Sequence, residues 1–158
     1  MERVDCILQD PVFLEYLKKN EAAEQTRIFC HHDLPHFLDV CRIAMILNLE
    51  RGLNLEKEII YAAGLLHDIG RWMEYENGTD HALASAQLAE AILRRCGFPE
   101  DQTDQILGAI QAHRSRDHAT ALSKILYEAD KASRMCHTCP ARSQCKHFLH
   151  GEIFRMKY

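Results

Sequence analysis

The stretch that decides the fold is Ile59-Ile60-Tyr61-Ala62-Ala63-Gly64-Leu65-Leu66-His67-Asp68-Ile69-Gly70. Its first eight residues are apolar nearly all round, and a helix of that kind sits buried at the centre of a domain. Asn54 is placed to cap its start, Glu56 and Glu58 suit its first turn, and Gly70 should end it. The run is far shorter than the roughly 20 apolar residues needed to span a bilayer. His67 and Asp68 therefore fall at the end of the most buried helix. An imidazole and a charged carboxylate are costly to bury there unless something pairs with them.

Reading outward, periodic helical segments dominate and alternating strand patterns are absent. Asp10-Pro11 is a helix start, with Phe13 and Leu17 on one face. Asp33 can cap a second helix with Pro35 in its first turn, a stripe of Phe37, Val40, Ala44 and Leu47, and Gly52 as its stop. A fourth helix runs from about Asp80 to Cys96, ended by Gly97 and Pro99. A fifth carries Ile106, Leu107 and Ile110, and a sixth carries Leu122, Ile125, Leu126 and Ala129. The expectation is an all-α bundle of about six helices around the central one. With 158 residues the chain suits one domain with a real core.

Two more residues share the inward faces. His36 precedes Val40 by four and so lies on its stripe, and Asp130 follows Leu126 by four. A His and an Asp on the apolar faces of separate helices, plus the buried His67-Asp68 pair, point to a divalent cation. Two neutral and two anionic ligands suit Mn, Fe or Zn, and Mg less well. His81 opens the fourth helix, and His113 continues the buried face of the fifth. Taken singly, His81 is also readable as an exposed first-turn residue and His113 as a C-terminal His favoured by the helix dipole.

In order, His36-x3-Val40-x3-Ala44, Leu65-Leu66-His67-Asp68-Ile69-Gly70 and Tyr127-Glu128-Ala129-Asp130-Lys131 resemble the HD-domain superfamily of metal-dependent phosphohydrolases, over about residues 32 to 134. The resemblance implies an HD-like helical domain over 1–135 and metal ligands at His36, His67, Asp68 and Asp130. HD proteins of the H…HD…H…H…D type hold two metals, which would add His81 and His113; a mononuclear site remains the alternative. In that scheme Asp68 bridges the ions. The chain departs from the family at Ser85, where Gly is common. A second dipeptide, His32-Asp33, reads as a helix cap.

The expected chemistry is hydrolysis of a phosphoester or phosphoanhydride in a small nucleotide-like substrate, with Asp68, Arg71 and Lys131 as catalytic candidates. Arg114, Arg116 and Arg134 are further cations suited to phosphate, or ordinary surface charges. The rival readings are a non-catalytic metal or ligand sensor and a nucleic-acid phosphodiesterase. A net charge of −4 disfavours nucleic acid as the partner. No Gly-rich dinucleotide fingerprint, no P-loop and no His-His-Glu…Gly-Tyr-Pro motif is present. Met1-Glu2-Arg3-Val4-Asp5 is no signal peptide, so the cytoplasm is the expected location, without a membrane partner. A homodimer is left open as the oligomeric state.

The seven cysteines should be thiols or metal ligands rather than disulfides in a reducing compartment. Three of them cluster in Cys136-x2-Cys139-x5-Cys145, within a Cys-rich tail (136–158) expected to lie against the same domain. With His147 as fourth ligand, or His137 or His150, they suit a structural Zn site; an iron–sulfur cluster and free thiols are the alternatives. The order is wrong for a zinc deaminase, since Pro140 follows Cys139 and no His-x-Glu precedes the cysteines.

Overall fold

The computed structural model describes residues 1–115, 119–149 and 156–158. The described residues form helices α1 (Glu2–Gln9), α2 (Pro11–Ala23), α3 (Leu34–Glu50), α4 (Lys57–Leu66), α5 (Arg71–Asn77), α6 (His81–Arg95), α7 (Glu100–Ala112), α8 (Ala121–Ala132) and α9 (Lys146–Leu149), with a 3₁₀ turn at Arg142–Gln144 and no strand. As expected, α4 is the centre: it meets α1, α3, α6, α7 and α8. Its Ile60, Ala62, Ala63, Leu65 and Leu66 are fully buried. The close approach of α3 rests on Gly64, where a Cβ would lie 2.5 Å from Cys41 Sγ and 3.2 Å from the Cys41 backbone. No helix among the described residues is long and apolar enough to cross a membrane.

The caps carry the sequence logic into the fold. Asp10 accepts from the Val12 and Phe13 N–H groups at the start of α2, and Asp33 accepts from His36 N–H at the start of α3. Thr120 and Ser123 form a reciprocal capping box on α8. Asn54 does not cap α4. That position belongs to Glu56, and Asn54 takes a left-handed φ of 56° in the preceding turn, a conformation Asn tolerates better than most residues.

Three helices escaped the sequence reading: α1, α5 and the four-residue α9. Of eight residues, α1 buries only Val4 and Ile7, and the seven-residue α5 has no fully buried residue. Neither offers a repeated apolar stripe. The expectation that no cysteine forms a disulfide is corrected at one pair. Cys6 in α1 and Cys96 after α6 are disulfide-bonded, with Cα atoms 5.5 Å apart. Docking α1 beside the end of α6 brings together residues 90 positions apart, which spacing along the chain does not reveal.

His67 through Gly70 form the tight turn from α4 into α5. Gly70 allows α6 to press against that turn: a Cβ there would sit 2.6 Å from Ser85 N and 2.9 Å from the Ala84 carbonyl carbon. Gly70 N–H donates to Ser85 Oγ at 2.9 Å, so the Ser that departs from the family pattern ties the turn down. Because the obstructing atoms are backbone, Gly70→Ala is expected to lower stability by about 1–3 kcal/mol. Urea denaturation measures this.

Candidate metal centre

Six residues anticipated from the sequence converge at the end of α4. His36 comes from α3, His67 and Asp68 from the turn after α4, His81 from the first turn of α6, His113 from the end of α7 and Asp130 from α8. They form two groups sharing Asp68: His36, His67, Asp68 and Asp130, and Asp68, His81 and His113. Within each group the potential ligand atoms all lie within 4.8 Å of one another. Asp68 Oδ2 faces His67 Nε2 at 3.2 Å. Its Oδ1 faces His81 Nε2 at 3.2 Å and His113 Nε2 at 3.4 Å. His36 Nε2 lies 3.6 Å from Asp130 Oδ1.

The opposite ring nitrogens are anchored outside the centre. His67 Nδ1 donates to the Gly64 carbonyl at 2.8 Å and His113 Nδ1 to the Ile110 carbonyl at 2.6 Å. His36 Nδ1 meets Ser133 Oγ at 3.3 Å, and His81 Nδ1 contacts the Glu74 carboxylate. A carbonyl accepts only, so Nδ1 of His67 and His113 carries the proton and Nε2 presents its lone pair inward. This is how metal-ligating histidines are oriented. His36 Nε2, His67 Nε2 and Asp68 Oδ1 are buried without a hydrogen-bond partner. Such atoms are rare in folded proteins; the two nitrogens belong to the first group, and Asp68 Oδ1 faces the second. The donor set therefore fits divalent cations.

Burial pushes the His36 imidazole down to about 4 and also lowers His81; burial works to lower His67 as well, but the adjoining Asp68 carboxylate holds it above its ordinary value. Burial works to raise Asp130, but Lys131 and His67 hold it down at about 2. Asp68 is likewise held well below the usual carboxylate range against its burial, chiefly by His67. Both carboxylates are thus anionic at neutral pH.

The centre opens into a cavity of about 490 Å³. Arg71, Arg114, Lys131 and Arg134 all line it. Lys131 Nζ is 2.5 Å from Asp130 Oδ2, and Arg71 is 2.5 Å from both Glu74 Oε2 and His81 Nδ1. Cys136, Cys139 and Cys145 line the same cavity. Arg116, His150 and the His147 side chain lie outside the described residues.

Three neighbours were missed in the sequence. His32, read there as part of a cap, lies with Nε2 3.7 Å from Asp68 Oδ2 and Nδ1 2.5 Å from Glu24 Oε1. Glu24 also accepts from His32 N–H and Tyr75 Oη. Asn20 donates to the Asp68 carbonyl and accepts from Trp72 N–H, both at 2.9 Å, bracing the turn. Its signal was present: Asn20 is a polar residue seven positions after Phe13, on the buried face of α2.

This fold and centre are those of an HD domain. The HD-domain family model matches residues 34–135, and the chain belongs to that family, whose members are typically metal-dependent phosphohydrolases. Over all 158 residues, and over the full length of both chains, it is 40% identical to an uncharacterized protein of Clostridium beijerinckii. It is 30% identical over 99 residues to ribonuclease Y of Acidothermus cellulolyticus and 33% over 101 residues to ribonuclease Y of Fervidobacterium nodosum. Each match covers 63% of this chain but only 18% of the relative. No solved structure matches.

Two expectations follow. Chelated protein reloaded with manganese should take up a pair of ions; His113→Ala should keep one and Asp68→Ala neither. Elemental analysis after desalting decides, and stoichiometric manganese retained by Asp68→Ala overturns the ligand assignment. Separately, burial works to raise Glu24, but its bonds to His32 hold it at about 2 against an ordinary 4.5. Its stabilising contribution is complete above that ordinary value and is lost as pH falls toward 2. Glu24→Gln should flatten this part of a pH–melting profile.

Proposed function

We propose that the chain hydrolyses a phosphoester or phosphoanhydride in a small nucleotide-like substrate, using one or two divalent transition metals, Fe, Mn or Zn. The observation that carries this reading is the placement of Asp68, one carboxylate oxygen toward each histidine group, with inward nitrogens that nothing else satisfies. Bound metal would supply Lewis acidity and a lowered water pKa at that point. His36, His67 and Asp130 would hold one ion, His81 and His113 the other, and Asp68 both.

The chain's own residues support the substrate class. Arg27, Arg71, Arg114, Lys131, Arg134, Arg142 and Lys146 line the cavity, and among the described residues its only lining carboxylates are Asp68 and Asp130 of the centre. In a chain of net charge −4, that gathers positive charge where a phosphate would enter. Lys131, anchored by Asp130, is positioned to hold a phosphoryl oxygen beside the centre. Arg71 offers a planar guanidinium for bidentate contact. The cavity volume lies within the range of small-molecule sites.

The ribonuclease Y relatives favour a second reading, in which the scissile bond is an RNA phosphodiester. One screen separates the two: metal-loaded protein against nucleotides, dinucleotide polyphosphates and short RNA. The expected outcome is turnover of a small nucleotide-like substrate, reduced to background by Asp68→Ala, with a raised KM in Lys131→Ala. Cleavage of RNA alone would transfer the site to the second reading. Inactivity of the fully loaded protein on every substrate would favour a sensor.

A further inference from the structure

A second set of metal-ligating side chains stands at the rim of the cavity, outside the HD centre. Between residues 136 and 146 every residue is exposed except Cys136, Cys139, Ala141 and Cys145. The tail thus turns its three cysteines inward with a single buried apolar residue beside them. Its backbone is folded by local bonds: Arg142 N–H to the Cys139 carbonyl, Cys145 N–H to the Arg142 carbonyl and Phe148 N–H to the Cys145 carbonyl. A segment with so little apolar burial needs another staple to hold a defined shape.

The fourth thiol comes from elsewhere in the chain. Cys30, in the loop between α2 and α3, lines the same cavity wall as the three tail cysteines. Arg27 fixes this loop by donating from Nε to the Cys30 carbonyl at 2.8 Å.

Spacing selects the guest. A tetrahedral zinc with Zn–S bonds of ~2.3 Å draws its sulfurs to about 3.8 Å from one another. Among the described residues, the potential ligands gathered within 4.8 Å are the two groups of the HD centre, not these thiols. Thiols that line one cavity at wider spacing than that suit a cluster, whose thiolates sit on separate irons. Arg27, Arg134 and Arg142 on the same wall offset thiolate charge.

We propose that Cys30, Cys136, Cys139 and Cys145 ligate one iron–sulfur cluster that fastens the α2–α3 loop to the tail at the mouth of the cavity. Cys30 thereby takes the place expected for His147.

The test uses the full chain, purified anaerobically and reconstituted with ferrous iron and sulfide. The expected result is a brown visible chromophore with acid-labile sulfide, both falling to background in Cys30→Ser and Cys145→Ser at unchanged far-ultraviolet circular dichroism. Both should persist in Cys41→Ser, which changes a buried thiol in α3. They should also persist in Asp68→Ala, so failure of the hydrolase reading is scored separately. A colourless, sulfide-free wild-type chain, with or without bound zinc, overturns the cluster. A chromophore surviving in Cys30→Ser overturns the role of Cys30.

Discussion

Asp68 is an anionic carboxylate buried at the end of the most apolar helix in the molecule, and the surrounding structure answers the demand this makes. An unpaired charge in such a place is strongly unfavourable. The chain places His67, His81 and His113 around it within 3.4 Å. Asn20 holds its carbonyl from outside. With Nδ1 of His67 and His113 committed to backbone carbonyls, the inward nitrogens are acceptors and leave Asp68 Oδ1 unsatisfied. A cation resolves that conflict, which gives this arrangement more weight than a count of histidines.

The precision of the centre comes from where its backbone is pinned. The turn His67–Gly70 is held by Asn20 on α2, by Ser85 on α6 and by the close contact that only a glycine at position 70 permits. Ligands thus arrive from rigid helix ends rather than from long loops, as a site needing sub-ångström placement requires. Around this anionic heart the cavity wall is cationic, so carboxylates at the centre face guanidinium and ammonium groups around it.

The cysteines divide by location. Cys6 and Cys96 join α1 to the end of α6, against the expectation of free thiols. Cys41 is buried, and burial pushes its thiol up to about 12, leaving it inert. The remaining four, Cys30, Cys136, Cys139 and Cys145, line the cavity beside the centre.

Much of this was legible in the residues. Helical periodicity exposed the bundle, because an amphipathic stripe is a local property of a 3.6-residue repeat. The same periodicity assigned His36 and Asp130 to inward faces, and the apolar run before His67-Asp68 marked the central helix. What the sequence left open depended on distance through space. The eight-residue α1 and seven-residue α5 lacked a repeat long enough to read. His32 looked like part of a cap, and only the fold brings it to Asp68 and Glu24. The sharing of Asp68 between two histidine groups, the Cys6–Cys96 pairing and the arrival of Cys30 beside the tail were tertiary decisions. Each joins residues from separate elements, and their meeting is set by how helices dock rather than by any pattern along the chain.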